Sequence, residues 1–236
     1  MIKAVIFDLD DTLISEREYV ISGYRHIARR LSDRVGEDKQ AIFDILMELF
    51  QTSPKNVFDR LLDKLQVPHT KDDILELVEA YRKHEPDIKF YDDVLTCLEQ
   101  LKEKGIKTGI ITDGYTSTQR NKLKVLNAHR YFEYIIVTDE LGRDYWKPNP
   151  RVFEIMRYSM GVGFDEMVYV GDNPEKDFYI SSIYPIKTVR IAREYSEHEH
   201  TYRDKGYLDG IKPDYIITSL EGLLALASEG RYLPKV

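Results

Sequence analysis

Three acidic residues, Asp8, Asp10 and Asp11, stand within four positions near the start of the chain. Asp8 and Asp10 are two residues apart, so on an extended backbone their side chains point to the same side. Two close carboxylates repel each other unless a cation lies between them, and a third acid, Asp172, would make a cation site there more favourable. Because oxygen donors without His or Cys nearby favour magnesium over zinc, these acids predict a Mg²⁺ site.

A phosphate group would complete such a site, and four further residues have the chemistry to bind it. Thr112 can donate a hydroxyl hydrogen bond, and the backbone N–H groups of Asp113 and Gly114 lie near a predicted helix start, where anions bind. Lys147 can offset the negative charge as a point cation. An ionised carboxylate can then attack phosphorus, and an aspartyl-phosphate intermediate splits one difficult step into two.

The elements that would position these residues alternate between strand and helix over most of the chain. Apolar runs predict parallel strands at residues 1–8, 107–112, 134–138, 167–170, 187–191 and 214–218. This alternation predicts an α/β fold, in which helices cover both faces of a parallel sheet. In such a sheet, ligands bind beyond the carboxyl ends of the strands, where the residues above are expected to lie.

Several boundaries follow from local patterns. Asn149 and Asn173 are each followed by proline, and this pair predicts two helix starts with Asn at the N-cap. The polar residues 195–212 are interpreted as a loop, and residues 220–227 as a last helix.

Residues 15–87 have a different texture, with four helical patterns and no predicted strand between them. The apolar residues within 42–49 show the spacing of a buried helical face. About 70 residues is too long for an ordinary strand-to-strand connection. We therefore interpret this segment as an inserted helical domain, with residues 1–14 and 88–236 forming the α/β domain.

Composition excludes several classes of protein. The 236 residues carry a net charge of −7 and are 42% apolar, which argues against nonspecific nucleic-acid binding and against general disorder. No apolar stretch approaches the roughly 20 residues of a membrane span, and the apolar run after Met1 is too brief for a signal sequence. The single cysteine, Cys97, excludes an intramolecular disulfide. We expect a soluble, cytoplasmic protein with a small-molecule partner, no nucleic-acid or membrane partner, and no marked stripe for an oligomer interface.

Taken in chain order, the residues from Asp8 to Thr12, then Thr112, Lys147 and the segment from Gly171 to Asp177, resemble the four motifs of the haloacid dehalogenase-like hydrolases. The resemblance covers the whole chain. It implies a Rossmann-like core with a helical cap inserted after the first motif. It also implies a phosphatase that acts on a small phosphomonoester, such as a sugar phosphate or a nucleoside monophosphate.

By this resemblance, Asp8 is the nucleophile, and Asp10 is the general acid and base that protonates the leaving oxygen and then activates water. Mg²⁺ would be held by the Asp8 carboxylate, the Asp10 backbone carbonyl and Asp172. Asp177 would lie outside the metal ligands and orient Lys147. Asp10 favours phosphoryl transfer over carbon–halogen cleavage, because the dehalogenases of the family lack this acid and need no metal.

Two other functions remain open from the sequence. A phosphomutase would use the same core and return the phosphoryl group to a bound sugar. A receiver-like signalling domain also combines an acid cluster, a threonine and a lysine on a parallel sheet. The receiver would be shorter than this chain, and it would carry the phospho-acceptor on a middle strand rather than on the first.

Overall fold

The computed structural model describes residues 1–193 and 206–224, and the chain divides into two compact units. One unit comprises Met1–Arg17 together with the chain from Lys89 onward, and the other comprises Glu18–Ile88. Of the predicted loop at 195–212 and the predicted last helix at 220–227, residues 195–205 and 225–227 lie outside the described residues, while residues 221–224 are helical.

The first unit is built on a parallel sheet of six strands. Its strands are β1 (Ala4–Phe7), β2 (Lys107–Thr112), β3 (Tyr134–Val137), β4 (Met167–Gly171), β5 (Lys187–Ile191) and β6 (Tyr215–Ile217). Their order across the sheet is β3-β2-β1-β4-β5-β6, and every neighbouring pair is parallel. This sheet confirms the predicted α/β fold. The strand order reverses between β1 and β4, and such a switch point is where sheets of this kind bind ligands.

The central strands have continuous apolar sequences because both of their faces are covered. All residues of β1 and β4 are buried. This unit also contains the helices α5 (Val94–Glu103), α6 (Thr116–Val125) and α7 (Arg151–Met160). One core cluster joins Phe153 and Met156 of α7 to Ile6 of β1 and Tyr169 of β4. Burial of such side chains stabilises the fold by roughly 1.5–3 kcal/mol each.

The helix predicted to start at Asn173 does not form, whereas α7 does follow Asn149 and its proline. After β4 the chain makes one turn, in which the Asp177 N–H donates to the Asn173 carbonyl at 3.0 Å, and a 3₁₀ helix (Tyr179–Ser182) comes next. The Asp177 carboxylate accepts from the Asn173 N–H at 2.9 Å and closes that turn. A Cβ at Gly171 would lie 2.5 Å from Asp177 Oδ2. The side chain of Asp177 is therefore folded back against the end of β4.

The second unit is entirely helical. Its helices are α1 (Glu16–Val35, whose first two residues belong to the other unit), α2 (Lys39–Thr52), α3 (Val57–Lys64) and α4 (Lys71–Lys83). Asp38 caps α2, and Thr70 with Asp73 forms a capping box on α4. Their apolar faces meet in one core that includes Tyr24 and Leu46. Among the residues that the structure describes, no helix is both long enough and apolar enough to cross a membrane.

Arg193, just after β5, fixes the loop that follows β1. Its side chain is only 8% exposed, and it donates to the Thr12 carbonyl from Nη2 at 2.8 Å. Its Nη1 contacts Asp93 at 2.6 Å, and its guanidinium lies 4.3 Å from the centre of the Tyr91 ring. The same Asp93 oxygen accepts from the Leu220 N–H at 2.7 Å. One buried guanidinium thus ties together the loop after β1, the start of α5 and the chain beyond β6.

The substitution Arg193→Met is expected to lower the free energy of unfolding by about 3 kcal/mol, because it leaves the Asp93 carboxylate without its buried cation. Urea denaturation followed by circular dichroism measures this change. Arg151→Met is the control, because the Arg151 side chain is 61% exposed in its ion pair, and the expected loss is below about 1 kcal/mol. Equal losses in the two variants would contradict the role assigned to Arg193.

Candidate active site

The residues that the sequence singles out stand at the carboxyl ends of three neighbouring strands. Asp8 follows β1, Thr112 ends β2, and Asp172 follows β4. The Asp8 N–H donates to the Val170 carbonyl at 2.8 Å, which continues the pairing of β1 with β4 to the very end of the strand. The geometry of the sheet thus gathers at one edge residues that are far apart in the sequence.

Lys147 lies at the centre of this edge, and none of its side chain is exposed. Its ammonium contacts Asp8 at 2.9 Å and Asp177 at 2.9 Å. It also donates to the Tyr169 hydroxyl at 2.8 Å, and that hydroxyl is 3.1 Å from Asp177 Oδ1. A buried ammonium is stable only when its three donors find acceptors, and here three acceptors surround it. The contact with Asp177 agrees with the orienting role that the family resemblance implies.

These contacts set the protonation states of the Asp8–Lys147 pair. Burial by itself would raise the pKa of Asp8, but the ammonium groups of Lys147 and Lys176 outweigh burial and hold this pKa below its ordinary range. Burial by itself would lower the pKa of Lys147, but the carboxylates of Asp177 and Asp8 outweigh burial and raise it. Asp8 is therefore ionised at neutral pH, which is the form that can act as a nucleophile.

Asp8, Asp172 and Asp177 place carboxylate oxygens within 4.8 Å of one another. Burial and the neighbouring carboxylates of Asp177 and Asp8 raise the pKa of Asp172 well above its ordinary range. Such crowding of negative charge is unfavourable, and a divalent cation would relieve it. The oxygen-only donor set suits Mg²⁺, and Asp8 and Asp172 are the carboxylates that could hold it while Asp177 is engaged by Lys147.

Asp113 holds the segment that carries Lys147. Its Oδ1 accepts from the Lys147 N–H at 3.1 Å and from the Thr138 hydroxyl at 2.8 Å. Its Oδ2 lies 3.4 Å from the Lys176 ammonium. The side chain of Asp113 therefore holds other residues of the protein in place. The sequence analysis predicts phosphate binding only for its backbone N–H.

Thr112 is completely buried at the end of β2. Its hydroxyl accepts from Gln119 Nε2 at 2.5 Å, so the hydrogen of the hydroxyl can be donated elsewhere. Gly114 makes room for this contact, because its φ is +132° and a Cβ there would lie 3.1 Å from Gln119 Cδ. The glycine predicted as a backbone donor thus also permits the close approach of Gln119.

Asp10 is held on both carboxylate oxygens by side chains of α6. The Lys122 ammonium contacts Oδ1 at 2.6 Å, and Gln119 Nε2 donates to Oδ2 at 2.9 Å. Lys122 is therefore a cation beside this carboxylate, and the metal ion that the spacing of Asp8 and Asp10 predicts stays a prediction. Because β1 ends at Phe7, the two aspartates do not lie within one strand. The metal role that the resemblance implies for Asp10 concerns its backbone carbonyl.

Four residues at this edge were not singled out from the sequence, namely Tyr169, Lys176, Gln119 and Lys122. Of these four, Lys176 had the clearest signal in the sequence, because it directly precedes Asp177 in the fourth motif. Gln119 and Lys122 are three residues apart and lie beside the apolar Leu123, which indicates a polar pair on a buried helix face. Tyr169 lies in an apolar strand, where no pattern distinguishes it from the core.

Comparison with known proteins agrees with this geometry. A family model described as haloacid dehalogenase-like hydrolase matches residues 5–191. A glyceraldehyde 3-phosphate phosphatase of Methanopyrus kandleri is 32% identical over 205 residues, which cover 82% of this chain and 85% of that protein. The pyrophosphatase PpaX of Bacillus cereus is 25% identical, with 97% of each chain covered.

A solved structure has the same fold. The HAD phosphatase of Thermococcus onnurineus superposes with a TM-score of 0.61 at 25% identity, covering 96% of this chain and 98% of that one. The matched family model spans most of the chain, and it includes Asp8, Thr112, Lys147 and Asp172. The chain therefore belongs to the haloacid dehalogenase-like hydrolases and, within them, to the phosphatases.

Proposed function

We propose that this protein is a Mg²⁺-dependent phosphatase that hydrolyses a small phosphomonoester through a phosphorylated Asp8. The observation that carries the proposal is the position of the Asp8 carboxylate, with the Lys147 ammonium at 2.9 Å and the Lys176 ammonium at 4.0 Å. A phosphate group that approaches Asp8 would meet both cations. The two ammonium groups both keep Asp8 ionised and offset the charge of the phosphate.

In the first step, a carboxylate oxygen of Asp8 forms a bond to phosphorus while the bond from phosphorus to the leaving oxygen breaks. Asp10 gives its proton to that oxygen, so the product leaves as an alcohol. Lys147 and the Thr112 hydroxyl bind the phosphoryl oxygens and stabilise the charge that develops on them. Asp177 and Tyr169 keep the Lys147 ammonium in place during this step.

In the second step, Asp10 is ionised and takes a proton from a water molecule. The oxygen of that water attacks phosphorus, and the bond between phosphorus and Asp8 breaks. Inorganic phosphate leaves, and both carboxylates return to their starting forms. Asp10 thus serves first as acid and then as base, which divides one difficult displacement into two assisted steps.

The Asp8 carboxylate, the Asp10 backbone carbonyl and Asp172 are the groups that would hold Mg²⁺. When bound, the ion would supply positive charge next to the transferring phosphoryl group and reduce the repulsion between the phosphate and Asp8. The raised pKa of Asp172 supports this assignment, because a carboxylate crowded by other carboxylates gains most from a divalent cation.

The helical unit Glu18–Ile88 is proposed to serve as the cap of the enzyme. For the substrate, a sugar phosphate is the first candidate, because the relative in Methanopyrus kandleri is named a glyceraldehyde 3-phosphate phosphatase. Phosphate release from triose phosphates, hexose phosphates and nucleoside monophosphates, with and without Mg²⁺, tests the choice of substrate and the dependence on Mg²⁺. Product analysis on a hexose 1-phosphate separates hydrolysis, which releases inorganic phosphate, from a mutase reaction, which yields an isomerised sugar.

The substitution Asp8→Asn is expected to lower kcat by a factor on the order of 10³ or more, because it removes the nucleophile. Phosphate release from the best substrate of the panel measures this loss. Asp92→Asn is the matched control, because the Asp92 side chain is 95% exposed, and its kcat should equal that of the unmodified protein. Full turnover by the Asp8 variant would refute the aspartyl-phosphate mechanism.

The substitution Asp172→Asn is expected to raise the metal-free Tm at neutral pH by about 2–4 °C, while it abolishes activity. The folded-state pKa of Asp172 is raised, so the stability linked to this group is present below the unfolded value of about 4 and is lost as pH rises through the folded pKa. The amide removes that loss. Thermal denaturation with EDTA and with Mg²⁺ measures both effects.

Mg²⁺ should raise the Tm of the unmodified protein and of Asp92→Asn, because a ligand that binds the folded state stabilises it. It should have no such effect on Asp172→Asn. An equal Mg²⁺-dependent increase in that variant would place the metal elsewhere.

A further inference from the structure

We propose that Lys122 and Gln119 are positioning residues that hold the Asp10 carboxylate ready to take a proton from water in the second step. This inference rests on the proposed phosphatase reaction and assigns to that reaction two residues outside the four family motifs. Both side chains belong to α6, and they contact different oxygens of Asp10, at 2.6 Å from Lys122 and 2.9 Å from Gln119.

The spacing of Gln119 and Lys122 explains how one helix contacts both oxygens of the Asp10 carboxylate. Residues three apart in a helix project to the same face, so α6 presents an ammonium and an amide N–H side by side. Two donors on two oxygens fix both the position and the rotation of a carboxylate, which a single contact would leave free to turn. With both oxygens held by donors on α6, the Asp10 carboxylate keeps one position and one orientation.

The Lys122 ammonium is buried, which is unfavourable for a charged group. Its side chain is only 3% exposed, whereas that of Asp10 is 20% exposed. Burying an ammonium loses its hydration, and a buried ion pair contributes little net stability. The charge is therefore better explained by what it does to Asp10 than by the stability of the fold.

Gln119 also links the base to the phosphate-binding hydroxyl. The same Nε2 that donates to Asp10 donates to Thr112 Oγ1 at 2.5 Å. Thr112 and Asp10 are thus held at a fixed separation by one amide group, and the open space at Gly114 lets this amide approach. A base fixed relative to the phosphoryl group places its water for attack, and this kind of orientation contributes strongly to rate.

The test is the substitution Lys122→Met in the Mg²⁺-loaded enzyme, with p-nitrophenyl phosphate as the substrate. Nitrophenolate leaves without needing a proton, so formation of the phosphoenzyme does not require Asp10, whereas its hydrolysis does. We expect kcat to fall on the order of 10²-fold with kcat/KM nearly unchanged. A burst of about one nitrophenolate per enzyme and acid-stable trapping of the phosphoprotein should accompany this loss.

The control is Lys124→Met, an exposed lysine on the same helix, which should leave kcat, kcat/KM and the burst as in the unmodified protein. Gln119→Met is the second variant and should show the same pattern at about tenfold, and it decides the matter if the Lys122 variant does not fold. Equal losses of kcat and kcat/KM without trapped phosphoenzyme, or an unchanged kcat, would overturn the inference. Failure of the phosphatase proposal would look different, because Asp8→Asn would then retain activity.

Discussion

The buried ammonium of Lys147 is the group on which the other parts of the site depend. Removing a lysine from water requires acceptors on every side, and Asp8, Asp177 and Tyr169 supply them. Each acceptor imposes a further requirement on the chain. Asp177 must fold back beneath the end of β4, so residue 171 must be glycine. The backbone of Lys147 must be held as well, and Asp113 does so.

The sheet meets these requirements through topology rather than through local sequence. Parallel strands all present their carboxyl ends at one edge, and the reversal of strand order beside β1 leaves that edge open. Asp8 and Asp172, far apart in the chain, become neighbours because β1 pairs directly with β4. Both of these strands are fully buried, and Asp8 and Asp172 follow directly at their ends.

The positive charges of the site fall into two groups with different tasks. Lys147 and Lys176 face Asp8, where they favour ionisation and offer charge to a phosphate group. Lys122 faces Asp10 together with Gln119 and fixes the second carboxylate. This division corresponds to the two roles proposed for the carboxylates, nucleophile for Asp8 and proton carrier for Asp10.

The sequence by itself determined the six strands, the helical insertion and the residues at the strand ends, because apolar runs and helical periodicity report burial directly. The motif residues Asp8, Thr112, Lys147 and Asp172 could be named because their types and order are distinctive. Only the tertiary structure decided the partners of Asp10 and the closed turn at Asp177. The contacts of Asp10 join it to residues 109 and 112 positions away, and no local pattern encodes which side chains meet across a sheet edge.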